Sequence, residues 1–297
     1  MQRPGWIVET QTGDGLRLNG FLQTTGDDPL SSEIASTYPS RKIVWIVVHG
    51  VAGNFYDSSL LASVTEFLLE SGCDVLRVNT RGRDPIAYFA TPGGRTRVGA
   101  AYEMIEDCQL DLAAWIGYSR NLGYQKIGLL GHSLGAVKSV IVARSNVAIH
   151  ALICLSPPRL VPSVLSSDIK YSEQFREDLE RATQLVQQGK SESLLSIRFP
   201  QPMLISAATF LDKYGREEPY DYVEMAKSIH VRSLWCFGEA EVGGHRASFR
   251  DCDQLLSTSV ASMSNHTIRV IPKADHAYTN ARGDLIGQIR AWFAENI

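Results

Sequence analysis

At 297 residues, 44% of them hydrophobic, the chain has enough apolar material for one large core, and α/β folds of this length usually form one domain. A formal net charge of -3, spread without long charge runs, gives no reason to expect nucleic acid or an anionic membrane surface as a partner. The N-terminus lacks the apolar core of a signal peptide, no stretch is apolar for long enough to span a membrane, and the five cysteines are widely spaced without a C-x-x-C pair. These features predict a soluble, cytoplasmic protein in a reduced compartment, with no metal site and no cofactor.

Taken in order, Trp6 to Thr10 and Leu16 to Thr24 alternate like half-buried strands, and Thr12-Gly13-Asp14-Gly15 between them is a hairpin signal. Gly26 to Arg41 is polar, broken by Pro29 and Pro39, and reads as a loop. Lys42 to Val48 is a continuous β-branched run, the pattern of a strand covered on both faces. It ends in His49-Gly50-Val51-Ala52-Gly53, where a glycine-rich exit lets a backbone N–H turn above the sheet. A helix is expected from about Ser58 to Glu70, a strand at 72–79, an irregular segment with arginines over Ile86 to Gly99, and a helix over Ala100 to Leu122. Those arginines are within reach of a substrate carboxylate, but solvation or pairing with nearby acids is the expectation.

The apolar run Lys126 to Leu130 then leads into Gly131-His132-Ser133-Leu134-Gly135, with a small-residue helical segment after it. Ser133 therefore sits at a strand-to-helix turn so tight that side chains at positions 131 and 135 would clash. A strand at 150–155 follows. From residue 161 to about 230 the pattern turns helical, with stretches expected at Asp168 to Gly189, Ser191 to Arg198 and Met203 to Tyr214. This insertion of roughly seventy residues reads as a cap of residues 161–230 on a core of 1–160 and 231–297. Val231 to Gly238 and Thr267 to Ile271 return to the sheet, and a closing helix runs from about Gly283 to Asn296.

A serine hydroxyl needs a base, and the base needs an acid that holds its tautomer. His276 follows the last strand, at the same sheet edge as Ser133. Glu241, three residues beyond Gly238, is the preferred acid, with Glu239 as its rival; Asp275 reads as an orienting or capping residue. His49 and His132 read as supporting residues. In this order the motifs resemble the α/β-hydrolase superfamily over essentially the whole chain from about Trp6. The resemblance implies a mostly parallel eight-stranded sheet with helices on both faces and an inserted helical cap. It also implies Ser133 as nucleophile, His276 as general base, Glu241 as acid, and the backbone N–H groups of Val51 and Leu134 as the oxyanion hole.

The function so implied is cleavage of a carboxylic ester, thioester or lactone through an acyl-enzyme on Ser133. An acyltransferase or thioesterase on the same residues, or a ligand receptor without turnover, remains the alternative. The partner expected is a small-molecule acyl substrate, and a homodimer is left open.

Overall fold

The computed structural model describes residues 5–26, 41–91, 93–145, 149–215 and 219–297. Most of the loop expected at 26–41 lies outside the described residues. The chain opens with two antiparallel strands, β1 (Gly5–Gln11) and β2 (Arg17–Gln23), paired from Gly5 opposite Gln23 to Gln11 opposite Arg17. Alternation of strands and helices follows: β3 (Arg41–Val48), α1 (Ser59–Glu70), β4 (Asp74–Val78), then a hairpin of β5 (Ala87–Thr91) and β6 (Gly94–Val98). Next come α2 (Cys108–Asn121), β7 (Tyr124–His132), α3 (Leu134–Ala143) and β8 (Ile149–Leu155).

Between β8 and the next strand of the main sheet lie α4 (Pro162–Leu165), α5 (Ser172–Gln187), β9 (Leu194–Ile197), β10 (Met203–Ser206), α6 (Ala207–Tyr214) and α7 (Tyr222–Met225). The chain closes with β11 (Arg232–Gly238), α8 (Glu239–Val242), α9 (Cys252–Ser259), β12 (His266–Ile271) and α10 (Arg282–Asn296). Eight strands form the main sheet in the order β1-β2-β4-β3-β7-β8-β11-β12, parallel from β4 through β12 and antiparallel at β1 and β2. This is the mostly parallel, doubly covered sheet of the α/β-hydrolase fold. Parallel strands need covered crossovers, so a core forms on each face.

β3 shows how the sequence produces both cores. Val44, Ile46 and Val48 enter one apolar cluster, while Ile43, Trp45 and Val47 enter the other. Successive side chains of a strand point to opposite faces, so an uninterrupted β-branched run can be buried only in the middle of such a sheet. α1 begins where Ser58 caps it, its Oγ accepting from the Leu61 N–H at 3.2 Å.

Three expectations differ from the observed elements. Residues 87–91 and 94–98 pair as the β5–β6 hairpin rather than lying in an irregular loop, because Ala87, Phe89 and Val98 turn inward. Leu194–Ile197 is a strand, not a helix: Leu195 and Ile197 are buried in alternation and pair with β10, which also takes the first turn from the helix expected at 203–214. The helix expected from residue 100 starts at Cys108, since Met104 is extended (ψ 131°).

One buried ionic junction locks the sheet's first half. Asp111 on α2, fully buried, accepts from the Arg81 backbone N–H (2.8 Å), Nε (3.1 Å) and Nη2 (3.0 Å), and Arg81 also reaches Asp107 and Asp14. Removing one partner of a buried pair strands the other charge. Arg81→Met should therefore cost about 3–5 kcal/mol, read as a lower urea midpoint and Tm, and a change under about 1 kcal/mol would refute this account.

Candidate active site

The site begins at a backbone constraint. A Cβ on Gly131 would lie 2.2 Å from the Gly135 carbonyl oxygen, and one on Gly135 would lie 2.4 Å from the carbonyl oxygens of both Val48 and His49. Only glycine lets β7 turn into α3 this closely. At the apex Ser133 takes φ 55° and ψ -127°, a region that ordinary residues avoid, and its side chain is lifted above the ends of the parallel strands.

The loop after β12 brings His276 to Ser133, with Nε2 at 3.0 Å from Oγ. On its other side the His276 Nδ1–H donates to Glu241 Oε1 at 2.5 Å. Glu241 is held from behind: its Oε2 accepts the Ser156 hydroxyl at 2.5 Å and the Gly238 N–H at 2.9 Å. Tyr278, whose hydroxyl donates to the Cys236 carbonyl, stands 2.8 Å from Ser156 Oγ. Glu239 points elsewhere, accepting from the Lys273 N–H, and Asp275 caps the backbone N–H groups of Ala277 and Thr279. Of the two candidate acids, the structure brings only Glu241 to the imidazole.

Val51 and Leu134 line the same cavity as Ser133 and His276, a chamber of ≈ 80 Å³. Among the described residues neither backbone N–H makes a hydrogen bond, so both are available to an oxygen bound there. The Gly50–Gly53 turn, closed by the Gly53 N–H to the Gly50 carbonyl with Ala52 at φ 53°, sets the position of Val51. A second, more open hollow of ≈ 380 Å³ adjoins the other side of His276. A further cavity of ≈ 730 Å³, beside Ile43, Phe67 and Arg290, lies at the opposite ends of the strands, away from this chemistry.

Two histidines support the site as neutral rings. The Thr80 N–H donates to His49 Nε2 at 3.1 Å, so His49 carries its proton on Nδ1 and gives it to the Gly50 carbonyl at 2.7 Å. Burial, reinforced by the charge of Lys138, pushes its pKa down to about 4. His132 donates from Nε2 to the His276 carbonyl at 2.8 Å, and burial lowers it likewise to about 4.

Behind this shell lies a group that sequence reasoning missed. Glu103 sits between Lys138 of α3 and Lys213 of α6, all three side chains buried, and Lys138 Nζ also donates to Thr80 Oγ1 at 3.1 Å. The lysines hold the Glu103 carboxyl down at about 2 against its burial. Lys138 is the one charge in the otherwise apolar run Leu134 to Ala143, a signal that it needs a buried partner. The arginines of 86–99 behave as expected where a partner is seen: Arg97 pairs with the exposed Glu192.

No family model and no curated protein matches the chain. Solved structures do match in fold. Est1E from Butyrivibrio proteoclasticus, solved with ferulic acid, superposes with a TM-score of 0.68 at 17% identity, over 97% of this chain and 99% of that one. The Pyrococcus furiosus esterase Pf2001 gives 0.65 at 19% identity over 99% and 91%. The α/β hydrolase GrgF from Penicillium sp. gives 0.66 at 16% identity over 97% and 98%. At these identities the likeness establishes the α/β-hydrolase fold.

The neutral histidines have a consequence for stability. An unfolded histidine binds a proton below about 6.5, whereas His49 in the fold does so only near 4, so the unfolded state holds more protons across that window. Stability therefore falls as pH drops from 6.5 to 4, by on the order of 3 kcal/mol for His49 alone at the lower end. Urea midpoints measured across this range should decline, and less steeply in His49→Gln. An unchanged slope in that variant would count against a buried neutral ring.

Proposed function

We propose that this protein is a serine hydrolase that cleaves a carboxylic ester, thioester or lactone through an acyl-enzyme on Ser133. The observation that carries this reading is the unbroken chain Ser133 Oγ, His276 Nε2, His276 Nδ1, Glu241 Oε1, with spacings of 3.0 and 2.5 Å, at a strained turn. Esterases among the proteins of similar fold support it as analogy.

In this mechanism Ser133 Oγ attacks the carbonyl carbon while its proton passes to His276 Nε2, and the carbonyl π pair moves onto oxygen. The N–H groups of Val51 and Leu134 receive that oxyanion. The intermediate collapses, the bond to the leaving oxygen or sulfur breaks, and His276 gives it the proton. Water then attacks the acyl carbon, losing its proton to His276, which returns it to Ser133 as the acid departs. Glu241 keeps the Nδ1 proton in place and balances the imidazolium formed in each half. Residues 161–230 serve as the cap: Pro200, Gln201, Lys213 and Tyr214 form part of the chamber wall around Ser133.

A fluorophosphonate probe should label Ser133, located by peptide mass spectrometry. Labelling and p-nitrophenyl acetate turnover should vanish in Ser133→Ala. Turnover should fall by about 10³-fold or more in His276→Ala and Glu241→Gln. A folded protein that is neither labelled nor active would overturn the reading in favour of a ligand receptor.

A further inference from the structure

The chamber that holds Ser133 has an unbalanced electrostatic lining. Two cationic side chains, Lys213 and Arg246, reach it, and among the described residues no carboxylate lines it. Glu241 stands behind His276 in the neighbouring hollow, both of its oxygens occupied.

Arg246 sits where the two spaces meet, lining the chamber and the hollow alike, as do Phe249 and His276. It forms no ion pair among the described residues, whereas Arg81, Arg83 and Arg159 each hold an acid. The acids around it are committed elsewhere. Asp275 Oδ1 takes two backbone N–H groups, Asp168 takes those of Lys170, Tyr171 and Ala247, and Asp251 faces Arg250. Nor is its loop loose. The Ala247 N–H is tied to Asp168, the Arg159 N–H to the Ser248 carbonyl at 2.8 Å, and the Phe249 ring packs 5.0 Å from that of His276. The backbone at 247–249 is fixed by these contacts, which sets where the exposed Arg246 side chain leaves the chain beside the chamber.

Lys213 meets the chamber from the cap side. Its Nζ donates to Glu103 Oε1 at 3.1 Å and to the Ala100 carbonyl at 3.2 Å, two partners for three protons. With Lys138 on the same Glu103, the buried group carries two ammonium ions on one carboxylate. Asp212, the next carboxylate, is turned to the Ile105 N–H and the Tyr220 hydroxyl.

We propose that the substrate carries a carboxylate on its acyl half, and that Arg246 is the residue that selects it, with Lys213 adding to the positive field of the chamber. The assignment to the acyl half rests on position: the acyl carbonyl must lie against the Val51 and Leu134 N–H groups, in the chamber that Lys213 and Arg246 also line. The hollow lies on the Glu241 side of His276, away from the Nε2 that faces Ser133. Arg246 is itself exposed, and its fork of N–H donors suits a carboxylate that enters the chamber mouth. The inference rests on the serine-hydrolase reading and deepens it to a half-ester of a short dicarboxylic acid.

The test compares monoethyl glutarate with its neutral isostere ethyl 5-oxohexanoate, followed by acid release at constant pH. The anionic ester should be preferred by about tenfold or more in kcat/KM. That ratio should fall towards one in Arg246→Gln, invert in Arg246→Glu, recover in part in Arg246→Lys, and shrink with added salt. A ratio unchanged in Arg246→Glu would overturn the proposal. So would a charge preference seen only on the leaving group, read from 3-acetoxypropanoate against butyl acetate. Calorimetric binding of monoethyl glutarate to Ser133→Ala needs no turnover. Binding there that weakens in Ser133→Ala/Arg246→Glu upholds charge selection even if hydrolysis fails, and equal binding of both esters refutes it.

Discussion

The close passage of three backbones at the end of β7 is the constraint on which the site depends. Gly135 leaves no room for a Cβ against the carbonyls of Val48 and His49, and Gly131 leaves none against Gly135. Because β3, β7 and α3 meet without intervening side chains, the exit of β3 and the start of α3 are brought beside one another. Two N–H groups from remote parts of the chain, those of Val51 and Leu134, thus line one chamber. Even Gly50 is drawn in, since a Cβ there would sit 3.2 Å from that of Ser133. The strained dihedrals of Ser133 follow from the same crowding, and the surrounding helix and sheet over-determine them.

Around that turn the structure surrounds His276 with groups that restrict it. Glu241 fixes one nitrogen, His132 binds its backbone carbonyl, and Phe249 covers its ring. The residues that do the holding are themselves held in unusual backbone conformations: Ser156 at φ 47° and Tyr278 at φ 52° direct hydroxyls into the cluster behind Glu241. Positive-φ residues other than glycine cost energy, and Ala52, Ser133, Ser156 and Tyr278 all lie at the same edge of the sheet. Strain gathered at these strand ends, with only one register shift in the parallel pairs, between Ile127 and Gly128 of β7, is the pattern of a preorganised pocket on a rigid frame.

The sequence made the strands and the serine turn readable because both depend on short-range rules: β-branched runs for covered strands, glycine spacing for the elbow. His276 was readable from chain order. Glu241 was preferred over Glu239 on position alone and no local rule secured that preference, because both side chains open α8 and only the bend at Gly238 decides which faces back. Glu241, as the third residue of the helix, returns to the Gly238 N–H, while Glu239 turns to Lys273. β9 was misread because four residues of mixed polarity carry too little period to separate strand from helix, and its pairing with β10 decides. The Glu103, Lys138 and Lys213 group was missed for a different reason, although Lys138 alone among apolar neighbours signalled a buried partner. Their meaning lies in contacts between segments more than thirty residues apart, and no local pattern encodes those partners.

These long-range charges also connect parts of the fold that the sheet does not. A path of polar contacts runs from the Gly50 carbonyl through His49 to Thr80, Lys138, Glu103 and Lys213. One end sets the loop that presents the Val51 N–H, and the other stands in the chamber wall. The side chains of His49, Thr80, Lys138, Glu103 and Lys213 are all buried, so each must keep its partner or leave an unsatisfied polar group or charge in a medium of low polarisability. Such a network resists small displacements, which ties the position of α6 to that of the β3 exit. Lys213 could have been a leucine if filling space were all that was required. A second lysine on a carboxylate already paired with Lys138 instead ties the cap helix α6 to α3 through Glu103, at the wall of the chamber.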